Sequence, residues 1–518
     1  MAGTSGIRAG LSSVTRGTLV LFVATLVYII ENFVARVILV RGLSTSEWSL
    51  FSLALAIASL LTALGTLGLP SAVARGIAYA STDAERRAIV RVTFTAGLLA
   101  AFAASIVLFV FGDWLGAAFG DPLYGQTLEY FSLAVGFSIL SGLIVSLFQG
   151  YEDVRPNAFF AQVLNPAIFV AFLVGSVVLT PGGRLTYPDA LLGYVVSSGL
   201  ALVATVLYAQ VRLPKLLPSG PRAERIASKL FRFAAPLYIA GILSTVTGSA
   251  DTLLLGYFHG TSLVGTYTAS LTLARLLQVG VGALGYIFLP VMTKFLRNDD
   301  RASIQLAYVT VTKWVVLASL PLFLLFVFMP SQSLGLVYGA QYTSITLPLQ
   351  ITVTGSFIAA AVGPSTSAQV AFGRTRLLLY NAAASAASDV LLSVLLIPTY
   401  GTVGAAVAWS VSNAVYPVLS LVELALVDEV HPFRRHYLAP LVITAVPVAV
   451  VFRLVAVRTP YWALPVVGIA VATLFILVVL ATRSVDRGDR LLLEAVEGLF
   501  GRPLRFVRRL GAYALRAG

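Results

Sequence analysis

The stretch Thr268–Val291, TASLTLARLLQVGVGALGYIFLPV, is long and apolar enough to cross a bilayer as a helix, yet it holds one arginine, Arg275, near the middle of its run. About 20 predominantly apolar residues suffice for a spanning helix. An arginine at the bilayer centre costs about 2.5–3.5 kcal/mol on insertion scales. A helix that keeps such a charge needs a compensating partner, water or anion.

The rest of the chain has the same character. Its 518 residues are 58% hydrophobic and 11% charged, with a mean hydropathy of +0.91. Soluble domains average about 25% charged residues. The sequence therefore predicts an all-α polytopic membrane protein. Apolar windows bounded by charge, Pro or Gly predict about fourteen helices, near 18–40, 48–70, 88–112, 124–149, 158–180, 187–211, 233–257, 263–290, 304–330, 344–371, 376–398, 402–426, 436–456 and 460–482. The polar start MAGTSGIRAGLSSVTRG reads as a cytosolic arm, because the apolar run after it is too long for the core of a cleaved leader.

Composition also excludes whole classes of chemistry. With no cysteine, disulfides and thiolate metal sites are impossible, and the three histidines (His259, His431, His436) are too scattered for a metal centre. Neither a metal nor a cofactor is expected. The dipeptide GK does not occur, so there is no Walker A loop. A glycan polymerase or glycosyltransferase would concentrate acids in extended outer loops for acid–base chemistry. Here the predicted outer loops are short, with scattered acids such as Glu47, Asp113, Asp121 and Asp189. The chain is not expected to be an enzyme.

Lys and Arg set the orientation. Of 35, 28 fall in segments on one side of the predicted helices and four (Arg41, Arg184, Arg453, Arg458) on the other. Basic short loops stay cytoplasmic, so both termini are expected in the cytosol and the protein in the cytoplasmic membrane. The +13 net charge then serves orientation and contact with anionic lipids, and no nucleic-acid partner is required.

An internal repeat organises the chain. LFVF at 108–111 recurs at 325–328, LGAAFG at 115–120 matches LGLVYG at 334–339, and QGYEDVRPN at 149–157 lies where AFGRTRLLLYN falls at 371–381. The offset stays between 217 and about 222. Each half contains six helices, an even number, so both insert in the same orientation. The expected plan is an N-terminal lobe at 1–211, a cytosolic linker at 212–232, a C-terminal lobe at 233–426, an extra helix pair at 427–482 and a basic amphipathic tail at 483–518. In that tail Leu504, Val507 and Leu510 recur at helical spacing beside Arg505, Arg508 and Arg509.

Ionisable and polar groups inside membrane helices point to function. The first helix holds Glu31, Asn32 and Arg36, the seventh Asp251, the eighth Arg275 and Gln278, the eleventh Asp389. An offset of 215 sets Arg36 opposite Asp251, as expected of two inward-facing helices lining a polar cavity; both also lie close enough to helix ends to snorkel to water. Glu31, Asp251 and Asp389 are candidate proton or sodium sites, or helix-to-helix hydrogen bonds. Gly280, Gly282 and Gly285 before Pro290 allow either close helix contact or a bend, and GTLGLP at 65–70, with Arg75 just beyond, ends the second helix in the same way.

The eighth helix, YTASLTLARLLQVGVGALGYIFLPVMTK, resembles the signature of the multidrug/oligosaccharidyl-lipid/polysaccharide (MOP) exporter superfamily. RGLSTSEWSLFSLALAI at 41–57, LGLPSAVARGIA at 67–78, ADTLLLGYFHGTSLVGTYTAS at 250–270 and LLIPTYGTVGAAVAWSVSNAV at 395–415 are similar to stretches of its polysaccharide flippases. The resemblance implies two six-helix bundles around a central cavity, a terminal helix pair and alternating access. It also implies a lipid-linked oligosaccharide as substrate, with membrane lipids and glycan-assembly enzymes as partners. In the peptidoglycan-precursor branch an arginine matching Arg275 binds the lipid-linked diphosphate. The further arginines of that branch are matched here only loosely by Arg36 and Arg75, which favours the polysaccharide branch. Guanidinium suits a diphosphate because it stays charged and pairs its N–H donors with phosphate oxygens. The rival is a drug/cation antiporter of the same superfamily, with a carboxylate-rich cavity.

Overall fold

The computed structural model describes residues 2–180, 182–213, 230, 234, 238–239, 241–433, 443, 460, 463–481 and 489. Most of the linker expected at 212–232, most of the first part of the helix at 233–257, nearly all of the helix at 436–456 and all of the tail at 483–518 but Asp489 lie outside the described residues. What is described is all-helical, without a strand. By length and apolar composition, nine helices among the described residues suffice to cross a membrane, or ten if one bent pair counts as a single span. The backbone divides into two compact units, Met1–Thr268 and Ala269–Gly518.

The first unit contains α1 (Ala2–Gly42), α2 (Thr45–Gly65), α3 (Leu69–Tyr79), α4 (Asp83–Val110), α5 (Gly112–Ala118), α6 (Pro122–Gly150), α7 (Asn165–Leu179, entered through a π-helical turn at Asn157–Leu164), α8 (Tyr187–Arg212) and α9 (Ala250–His259). Local chemistry sets the starts. Ser44 and Glu47 form a reciprocal capping box on α2, Asp121 accepts from Leu123 N at 3.1 Å ahead of α6, and Thr186 caps α8, each satisfying an N–H that the helix itself leaves unpaired. The polar arm does not precede a helix: α1 begins at Ala2, with its apolar span at Val20–Gly42. No proline interrupts residues 2–42, so nothing stops the helix from extending through them.

Phe51, Phe131 and Tyr194 form the aromatic heart of this unit, with Phe51 and Phe131 edge-on at 5.3 Å and Phe131 and Tyr194 stacked at 4.7 Å. Outward, α4 exposes Leu98, Phe102 and Phe109, an apolar face suited to lipid.

In the second unit, α10 (Val264–Leu276) continues across the unit boundary and is followed by α11 (Val279–Arg297), α12 (Arg301–Phe328), α13 (Pro330–Tyr338), α14 (Thr346–Ala361), α15 (Ser365–Ala371), α16 (Thr375–Val427) and α17 (Leu464–Ala481). Phe288, Met292, Tyr308, Val311, Val315 and Leu424 belong to its core. The single helix expected at 344–371 is two, because Gly363 takes φ +67° and Tyr308 Oη donates to Val362 O at 2.9 Å at the break. The two helices expected at 376–398 and 402–426 are both present, as the two halves of α16 on either side of the non-helical Gly401 at φ 53°, ψ −125°.

The repeat is visible in the backbone of each unit separately. LGAAFG ends α5 at Gly120 (φ +72°) and LGLVYG ends α13 at Gly339 (φ +101°); QGYEDVRPN turns at Glu152 (φ 61°) where the second copy turns at Gly373 (φ +73°). GTLGLP parts α2 from α3 at Gly68 (φ +66°), and α11 bends by 41° between Gly285 and Phe288. Gly68 and Gly285 stand 217 residues apart, on the repeat offset.

Candidate functional site

Arg275 occupies the last turn of α10. The helix stops at Leu276, and Gln278 N donates to Arg275 O at 3.1 Å, closing a tight turn before α11 begins at Val279. A cation in the last helical turn gains about 0.3–1 kcal/mol from the carbonyl end of the helix dipole. That offsets only part of its insertion cost. Leu273, Ala274 and Leu277 around it are buried, whereas Arg275 is exposed and has no hydrogen-bond or ion-pair partner among the described residues. Three positions on, Gln278 has a buried Nε2 without an acceptor. The break thus holds a guanidinium and a buried amide N–H that have no acceptor among the described residues.

The glycines after the break serve bending more than contact. A Cβ at Gly282 would meet nothing within 4 Å, and one at Gly280 would touch Ala318 Cβ at an ordinary 3.6 Å. Only Gly285, at the bend, is tight, with Ser367 Oγ at 3.3 Å.

The remaining residues singled out in the sequence lie as follows. On α1, Glu31 is half-buried, with its Oε2 lacking a hydrogen-bond partner; Asn32 spends its Nδ2 on Tyr28 O of its own helix at 2.8 Å; Arg36 is half-buried one turn further on. On α3, Arg75 is exposed and stands over the Tyr79 ring at 5.4 Å. On α9, Asp251 is fully buried and accepts from Tyr267 Oη and, at 3.4 Å, from Thr252 Oγ1. On α16, Asp389 is fully buried and accepts from Ser412 Oγ at 2.9 Å, across the Gly401 kink. Arg275 and Gln278 share one turn, and Glu31, Asn32 and Arg36 share α1.

Two polar centres were not read from the sequence. Lys313, deep in α12, is 3% exposed and pairs with Asp489 Oδ2 at 2.7 Å, while Trp314 Nε1 donates to Asp489 Oδ1 at 2.7 Å. Glu423 on α16 accepts from Gln369 and Asn381. An apolar groove of about 520 Å³ also runs between α14 and the second half of α16. Its polar lining residues are occupied elsewhere, Gln350 Nε2 on Val327 O and Ser410 Oγ on Ile351 O, so it offers hydrocarbon contact alone.

Long apolar helices, broken spans and charged groups held within them define a multi-pass membrane protein. Residues 14–296, more than half of the chain, match the family model described as polysaccharide biosynthesis protein. The chain belongs to that family. Its fold is similar to that of the lipid II flippase MurJ in an inward closed conformation, with a TM-score of 0.70 at 15% identity over 88% of this chain and 97% of that one. It is also similar to an inward-facing multidrug resistance MATE family transporter of the MOP superfamily, with a TM-score of 0.57 at 14% identity over 79% and 97%. The chain thus shares the all-helical fold of these proteins. An uncharacterized membrane protein of Methanocaldococcus jannaschii is 20% identical over 214 residues, 40% of this chain. The match spans 42% of that relative's length.

Proposed function

We propose that this protein is a flippase that carries a polyprenyl-(di)phosphate-linked oligosaccharide or polysaccharide precursor across the cytoplasmic membrane by alternating access. The observation that carries this reading is the helix break at Arg275, where a guanidinium and the orphaned Gln278 amide both lack acceptors among the described residues. A diphosphate at the lipid–glycan junction supplies such acceptors. Family membership and the MurJ-like fold support the class. The lobes at 1–211 and 233–426, the linker at 212–232, the helix pair at 427–482, cytosolic termini and glycan-assembly partners belong to the same proposal.

Arg36, Asn32 and Arg75 are assigned to the same substrate path, and Glu31, Asp251 and Asp389 to ion coupling or gating. A drug/cation antiporter is the second reading, favoured by the buried carboxylates of Asp251 and Asp389. Reconstitution separates the two. Vesicles holding the protein should expose a fluorescent polyprenyl-diphosphate glycan to an outer-leaflet probe at a rate that protein-free vesicles do not reach, and an organic cation should not move. Cation efflux without glycan translocation would overturn the flippase reading.

A further inference from the structure

Glu423 sits in the last turns of α16, half-buried. Two amides from different segments donate to the same oxygen, Oε2: Asn381 Nδ2 at 2.8 Å, from the first half of α16, and Gln369 Nε2, from α15. Asn381 Nδ2 also lies 3.4 Å from Ser420 Oγ. Gln369 is completely buried, Asn381 is 3% exposed and Ser420 is completely buried.

Two needs stay unmet in this cluster. The carboxylate has no lysine, arginine or histidine partner among the described residues, and Arg374, close by in sequence, is committed to Asp428 at 2.6 Å. The second unmet group is Gln369 Oε1, a buried acceptor without a donor, held one amide width from the Nε2 that contacts Glu423. A partly buried charge without a counter-charge and a buried carbonyl without a donor are each costly. One small positive charge answers both.

We propose that Gln369, Asn381, Ser420 and Glu423 form a binding site for a monovalent alkali cation of sodium's size. The donor set is oxygen only, as hard cations prefer. Its single carboxylate argues against a divalent ion, whose sites are built from several carboxylates, and no group of three His, Cys, Asp or Glu side chains suited to a metal occurs among the described residues. Amides are also the side chains that exchange donor for acceptor by a half-turn about one bond. With the site empty, both amides donate N–H to Glu423. With the cation bound, a half-turn of each brings Gln369 Oε1 and Asn381 Oδ1 beside the carboxylate and Ser420 Oγ. Because the ligands come from α15 and from both sides of the Gly401 kink in α16, the cation ties these segments together. The inference is independent of the transported substrate.

The test uses the full-length protein in detergent, with sodium chloride titrated against choline chloride at constant ionic strength and no glycan lipid present. Sodium should raise the unfolding midpoint by about 1 °C at ten times its half-saturating concentration, and the rise should continue with the logarithm of concentration. Glu423→Gln should abolish the shift. In Gln369→Met, which keeps the charge and removes one ligand oxygen, half-saturation should move at least tenfold upward; this variant decides the matter if Glu423→Gln does not fold. Equal responses to sodium and choline, a sodium shift that persists in Glu423→Gln, or an unchanged half-saturation in Gln369→Met would overturn the site.

Discussion

Thr268 Oγ1 donates a 3.1 Å hydrogen bond to Ser52 Oγ, and the two residues stand 216 positions apart, one short of the repeat offset. The relation extends along the seam between α2 and the start of α10, within the first unit. Gly265 N donates to Ser49 Oγ at 2.8 Å, again at a separation of 216, and Trp48 Nε1 donates to Gly265 O at 3.0 Å. Residues within one position of correspondence under the repeat therefore meet one another. The approach is close enough to exclude a side chain at Gly265, where a Cβ would come within 2.5 Å of Ser49 Oγ and 2.9 Å of Thr45 O.

Gly265→Ala should accordingly destabilise the protein by about 1–3 kcal/mol, the usual cost of overpacking, read as a lower unfolding midpoint. Adding Ser49→Ala removes the nearest atom and should recover part of the loss. A wild-type midpoint in Gly265→Ala would contradict the closeness of the seam.

Arg275→Ala should leave membrane abundance unchanged and abolish glycan-lipid flipping. The guanidinium holds no described partner whose loss would destabilise the fold, while a charge-assisted bond to phosphate carries about 1.5–3 kcal/mol, roughly 10- to 100-fold in affinity. Arg275→Lys should keep part of the activity, because charge survives and paired donation does not. Restored flipping in Arg275→Ala combined with Asp251→Asn would instead make Arg275 an ion-pair partner and sink the substrate role.

Asp489→Ala should cost about 3–5 kcal/mol, since it strands the buried Lys313 ammonium. Lys313→Met with Asp489→Leu should recover most of that, because no charge is then left inside. A deletion of residues 490–518 leaves the pair in place and should preserve stability and transport; a deletion of 482–518 removes Asp489 and should not. Melting curves of the four variants decide it.

Gly401→Ala should lower stability by more than 1 kcal/mol, as φ 53°, ψ −125° is a conformation open to glycine and closed to residues bearing a Cβ. Gly404→Ala should be worse, with its Cβ 2.4 Å from Leu396 O. Expression and monodispersity in detergent report both.

The long helices, the repeat and the exceptional position of Arg275 were legible because each is written locally, in runs of apolar residues, in motif spacing and in one charge out of place. The Gly68 and Gly285 bends were legible for the same reason. Splitting at Gly363 was not, since one glycine in an apolar run has no distinct signature until Tyr308 from α12 reaches Val362. Nor were the pairs Asp251–Tyr267 and Lys313–Asp489. The first spans a short turn, but the second joins residues 176 apart, and only tertiary packing decides that an aspartate beyond α17 meets a lysine inside α12. Asn32 shows the opposite limit: helical spacing put it on the face of Arg36, yet its amide turns back to its own backbone.

The stop in α10 also bears on how long a bound anion stays. The last carbonyls of a helix lack the usual intrahelical donors; at the end of α10, Ala274 O and Arg275 O accept from Leu277 N and Gln278 N at 3.2 and 3.1 Å, and inside a membrane any others need water or protein. Water at the Leu276–Gln278 break would raise the local dielectric around Arg275. At 4 Å a unit charge pair is worth about 1 kcal/mol in water and about 4 kcal/mol in an environment of dielectric 20. In the proposed flippase, a guanidinium at a hydrated break would grip a phosphate firmly enough to admit it and loosely enough to let it go, and fast release is what a carrier, unlike a receptor, depends on.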